Sequence, residues 1–124
     1  MADIEQSLKE AMAIEGAIGV ALCDHTSGLT LGVSGGDHTM DMTVAAAGNT
    51  DLVRAKMRTM QMLGLGDGIE DILITLDSQY HLIRLLRTRG SGDTMFLYLA
   101  LHKNRANLGL ARHKLRQIEA DLDL

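Results

Sequence analysis

The side chains best suited to chemistry in this sequence are one cysteine, five histidines and a glycine-rich segment. Cys23 and His25 stand two residues apart at the end of an alternating run, which places both on one face of a strand. A thiol beside an imidazole could begin a nucleophilic pair, yet such a pair also needs a third group to orient the base, and none stands at a matching position. Cys23 therefore reads as a half-buried structural residue. His25, His38, His81, His102 and His113 fall in five different elements and show no ligand spacing such as two histidines four apart on one helix, so no metal is expected. Gly64-Leu65-Gly66-Asp67-Gly68 has the composition of a phosphate loop but follows a helix and precedes a strand, the reverse of the context a nucleotide fingerprint needs, and reads as a helix stop. No cofactor is expected. With no nucleophile, base and oxyanion donor converging, the chain is not expected to be an enzyme. The eight methionines could handle copper, but Met42, Met57 and Met60 fall along one helix face, where flexible thioethers suit an adaptable contact surface. Arg84, Arg87 and Arg89 place positive charge at the end of one strand. Arg84 and Arg87 are accordingly the candidates for charged contacts to a partner, on opposite faces of that strand.

The elements that carry these residues follow from periodicity. Ile4, Leu8, Ala11 and Met12 recur at helical spacing, with Asp3 as the cap and Gly16 as the stop. Residues 17–24 alternate as a strand, Asp24-His25-Thr26-Ser27-Gly28 is turn chemistry, and Leu29, Leu31 and Val33 resume the alternation, which predicts a hairpin. A long helix is predicted over residues 41–63. It carries one stripe of Val44, Ala45, Gly48, Leu52, Ala55, Met62 and Leu63, and a second beside it of Met42, Ala46, Val53, Met57 and Met60. Together these span an arc of roughly 220°, wider than a helix resting on one sheet requires. Residues 69–76 and 80–87 predict a second hairpin. A small polar loop, Gly90-Ser91-Gly92-Asp93, leads to residues 95–101, which are apolar on both faces as a central strand is. Leu108, Ala111, Leu115, Ile118 and Leu122 form the stripe of a last helix capped by Asn107.

Composition bounds the classes available. The 124 residues suit one domain over 1–124, with three aromatics and a core of Leu, Ile, Val, Met and Ala. A net charge of −4 argues against nucleic-acid and membrane-surface binding. A single cysteine permits no internal disulfide, and the N-terminus lacks a basic and apolar leader pattern, so a cytoplasmic protein is expected.

The order is αββαβββα, an α/β (α+β) domain. Placing the doubly apolar strand between the two hairpins gives a five-stranded antiparallel sheet of order 2-1-5-4-3 with helices on both faces. The long helix must cross roughly 20 Å at about 4.8 Å per strand, and its rise gives about 33 Å. The third strand is then an edge, rich in Ile72, Leu73 and Ile74 and poor in blunting charge. An apolar edge beside a wide apolar helix is a self-association surface, so a homodimer is expected through Met42, Ala46, Val53, Met57, Met60, Ile72, Leu73 and Ile74.

Over essentially its whole length the sequence resembles the roadblock/dynein light chain family in its compact bacterial form. The resemblance rests on Glu15 to Leu22, the turn from Asp24 to Gly28, Ile72 to Leu76 with Tyr80 to Arg84, and the segment Ala106-Asn107-Leu108-Gly109-Leu110-Ala111-Arg112 that opens the last helix. It implies protomers joined edge strand to edge strand with their middle helices packed together. It also implies that the paired surface engages a small Ras-like GTPase or serves as a scaffold. The first turn, with His25 and Thr26, departs from the Ser-Ala-Asp-Gly type more usual there. A PAS-like ligand sensor is the alternative, and it would need a pocket inside one protomer.

Overall fold

The computed structural model describes residues 2–87 and 94–123. In chain order the elements are α1 (Ile4–Met12), β1 (Ala17–Asp24), β2 (Thr30–Gly35), α2 (Met42–Met62), β3 (Asp71–Thr75), β4 (Gln79–Leu85), β5 (Met95–His102) and α3 (Leu108–Asp121). Arg89 and the expected loop over Gly90–Asp93 lie outside the described residues. The expected caps are in place: Asp3 Oδ1 accepts the Gln6 N–H at 2.8 Å, and Asn107 Oδ1 accepts the Leu110 N–H at 3.0 Å.

All strand pairs are antiparallel, in the order β2-β1-β5-β4-β3. β5 is central because Phe96 to Leu101 are all buried, three on each face. Alternation sorts the side chains of the sheet into two cores. Val20, Leu22, Leu82, Leu97, Leu99 and Leu101 meet α1 and α3 through Leu8, Ala11, Ala111, Leu115 and Ile118. Ala21, Cys23, Ile83, Leu85, Phe96, Tyr98 and Ala100 face α2 on the other side.

The seating of α2 corrects the sequence-based expectation. Met42, Ala46 and Val53 are 4%, 0% and 0% exposed and pack into the core beneath α2, so they cannot meet a second copy. Of the other stripe, Val44, Met62 and Leu63 are exposed, while Ala45 and Leu52 pack against the same core. Two local features choose this rotation. Gly19 and Gly36 leave the space that the Met42 side chain fills, and a Cβ at either glycine would collide with it. Arg54 donates from Nε to the His25 carbonyl at 2.5 Å and from Nη2 to the Thr26 carbonyl at 3.1 Å, pinning the helix to the β1–β2 turn. Asp41 caps the start, accepting the N–H groups of Thr43 and Val44 at 2.9 and 3.2 Å, and Gly64, at φ 70°, follows the end. α2 thus lies closest to β1 and β2.

Candidate functional site

Because α2 rests on the β1–β2 half of its face, the β3–β4 half keeps partly exposed apolar side chains. Ile72 packs against the α2-side core and Leu73 against the opposite one, while Ile74 is half-buried and belongs to neither. Among the described residues β3 pairs with β4 alone, along one side, leaving the other row of backbone N–H and C=O groups free. Its acidic residue does not blunt that edge: Asp71 Oδ2 is held at 2.8 Å by Arg112 Nε of α3. A short edge strand of this kind is a template for pairing. The opposite edge, β2, is interrupted by an irregularity in its pairing with β1 and carries Gly32 and Gly35.

Over β4 and β5 runs a groove of about 460 Å³ between α2 and the sheet. It is lined by Val44, Ala45, Gly48 and Asn49 from the helix and by Tyr98 and His81 from the strands, with His38 to Asp41 at one end. The His81 ring meets the Tyr98 ring edge-on, with centroids 5.4 Å apart at 87°. Its Nε2 lies 2.7 Å from Gln79 Oε1, and burial holds its pKa below the ordinary histidine range. Burial likewise pushes Tyr98 up to about 12, a hydrogen bond with Asn49 opposing it. Gly48 lies within the continuous helix at the groove wall, where an added Cβ would meet nothing. A glycine inside a helix costs about 1 kcal/mol relative to alanine, and no contact within the protomer requires it.

At the far end of α2, Met57, Met60, Leu65 and Ile69 line a second hollow of about 340 Å³. Met62 and Leu63 stand beside it, 80% and 66% exposed. Of the eight residues expected at a dimer interface, Met57 and Met60 line this hollow, Ile72, Leu73 and Ile74 form the open edge strand with Leu73 turned to the opposite face of the sheet, and the three core residues lie at neither. The exposed residues Val44, Gly48, Met62 and Leu63 are not among those eight. The signal that could have marked them is Gly48, a glycine inside a helix with no close neighbour that requires it.

Met42, Ala46, Val53, Cys23 and Phe96 pack together beneath α2. Arg84 also departs from expectation. Its Nε and Nη2 donate to Glu119 Oε1 at 2.9 and 2.8 Å, with 11% of the side chain exposed, so it is committed to tying β4 to α3. Glu119 Oε2 accepts the Arg87 backbone N–H at 2.6 Å, and Arg87 itself is exposed.

Cys23 is fully buried, more than the half-burial expected. Desolvation pushes its thiol up to about 11, against hydrogen bonds from Thr30 and Thr50 that lower it. The thiolate that reacts is therefore scarce at neutral pH. Native protein at pH 7.5 should react with iodoacetamide at least ~100-fold more slowly than after denaturation, a difference that mass spectrometry of timed samples measures. Stoichiometric labelling within minutes would contradict it. Among the described residues no three His, Cys, Asp or Glu side chains gather as a metal site, and no helix is long and apolar enough to cross a membrane.

Among the described residues, three helices on the two faces of an antiparallel five-stranded sheet define an α+β fold. Its arrangement is that of solved roadblock structures. A Roadblock/LC7 domain from Streptomyces avermitilis matches with a TM-score of 0.76 at 17% identity, over 96% of this chain and 93% of that one. MglB of Myxococcus xanthus matches with a TM-score of 0.72 at 18% identity, over 93% and 77%. The gliding protein MglB of Thermus thermophilus gives 0.72 at 15% identity, over 93% and 82%. No family model and no curated protein matches the chain. The chain has the roadblock fold.

Proposed function

We propose that this chain is a non-enzymatic homodimeric docking module whose paired surface binds a small Ras-like GTPase or a complex containing one. The observation that carries the reading is the open edge of β3, an apolar strand paired along one side only among the described residues. Antiparallel pairing of two β3 strands about a two-fold axis satisfies the free backbone groups of both edges at once, as an isologous interface does. It sets the β3–β4 half of each sheet beside that of its partner and brings the two α2 helices together over the seam. Val44 and Gly48 would then face the second copy. The exposed tip from Met62 to Leu65 extends the apolar surface at the helix ends, where a further protein could dock.

The GTPase as partner is what the family resemblance implies. A docking module contributes surface and no reacting group, and it shifts a GTPase only by binding its nucleotide states unequally or by holding the GTPase's own groups in place. The test is to mix the purified protein with the Ras-like GTPases of its own organism, loaded with GDP or a non-hydrolysable GTP analogue, and to measure complex formation and hydrolysis. The expected result is one GTPase bound in at least one nucleotide state. If none binds in either, the protein is a scaffold without a GTPase.

A further inference from the structure

We infer that protonation of His81 dissociates the homodimer, so that self-association is switched by pH. The inference rests on the homodimer reading and adds its regulation. Its basis is the register of the sheet. Ala100, His81 and Ile74 lie opposite one another across β5, β4 and β3, and Tyr98, Ile83 and Ile72 form the row two residues along. Leu73 is the centre of the five-residue edge strand. A two-fold axis there pairs Ile74 with Ile72 of the partner subunit. The row then runs Ala100, His81, Ile74 and on through the partner's Ile72, the partner's Ile83 and the partner's Tyr98. One imidazole in each protomer is thereby set into a row of apolar and aromatic side chains.

In the separate protomer His81 keeps access to water through the groove beside α2. Closing the groove with the second copy's helix removes that access. The groups facing the ring offer a cation little. From β5 it meets the Tyr98 ring in a T-shaped contact, with a phenol that stays neutral, and from β4 the Gln79 amide oxygen at 2.7 Å. From β3 it meets Ile74, and from α2 the amide of Asn49 lines the same groove. His38 and Asp41 stand at the groove's end, and the Asp41 carboxylate is engaged by the N–H groups of Thr43 and Val44.

The sign follows. Burial already lowers the His81 pKa in the protomer, and dimer closure lowers it further, so the dimer favours the neutral ring. Association is full above the pKa of the separate protomer and is lost as pH falls through it toward the value in the dimer. With two such rings per dimer, the limiting loss is up to about 100-fold in dissociation constant per pH unit.

The experiment is sedimentation equilibrium of the full chain at pH 8.0 and pH 5.0, with circular dichroism to verify that the fold persists, beside His81→Gln. A dissociation constant at least ten-fold weaker at pH 5.0 for the unaltered chain, and unchanged for His81→Gln, is the expected result. A dimer of equal strength at both pH values, or an equal pH response in the variant, overturns the switch and leaves the homodimer standing. A monomer at pH 8.0 overturns both. If the variant fails to dimerise, the His81 ring resonances of the unaltered chain are titrated by NMR at dilute and concentrated protein. A lower pKa in the concentrated sample is expected, and equal values overturn the inference.

Discussion

A chain carrying Val53→Asp should fail to fold at 25 °C, whereas Val44→Asp, nine residues earlier on the same helix, should leave the protomer folded. Val53 is 0% exposed, in the core made by Ala21, Ala46, Phe96 and Tyr98. A carboxylate there has neither water nor a cation, and the cost of an unpaired buried charge is several kcal/mol. That is comparable to the whole net stability of a small domain, about 5–15 kcal/mol. Val44 is 69% exposed, and substitutions at such positions usually fall within about 0.5 kcal/mol. Val53→Ala separates charge from packing: it removes two methyl groups and should cost about 2 kcal/mol, leaving a folded protein. Thermal melts followed by circular dichroism check all three. A cooperative, near-normal melt for Val53→Asp would mean that α2 presents this face to solvent.

Ile74→Lys should abolish self-association while leaving the protomer folded. Ile74 lies on the edge strand, half-buried and outside both cores, so lysine there can extend into water in the separate protomer. In a β3-to-β3 dimer it would bring two ammonium groups into the apolar seam beside the partner's Ile72. Edge lysines are a means by which sheets avoid pairing. Burying two unpaired charges costs several kcal/mol, enough to weaken the dimer at least ~100-fold. Sedimentation velocity at matched concentrations measures this. A dimer of undiminished strength would place the interface elsewhere, the α1–α3 side included.

Much of the fold was legible because its elements carry different periods. The 3-4 spacing of Leu108, Ala111, Leu115 and Ile118 can only be a helix face, and Phe96 to Leu101, apolar at every position, demands a strand covered on both sides. The order 2-1-5-4-3 then followed from pairing hairpins around that strand. The rotation of α2 was not legible, because both of its stripes contain small and apolar residues and a moment cannot rank them. What settles it is a fit between distant residues: Met42 enters the space left by Gly19 and Gly36, and Arg54 reaches the carbonyls of His25 and Thr26. Glycine in a strand signals a close approach but not by what. Arg84 was similarly opaque, since its partner Glu119 lies 35 residues away on another element. The open edge at Ile72 to Ile74 was visible because it depends on topology alone.

The homodimer is the claim on which the docking surface, the pH response and the partner all depend. Its most direct test is the mass of the unaltered chain in solution by sedimentation equilibrium, at micromolar concentration and pH 8.0. Twice the 13.4 kDa chain mass is expected, with Ile74→Lys at the single-chain value. A single-chain mass for the unaltered protein across the micromolar range would contradict the account.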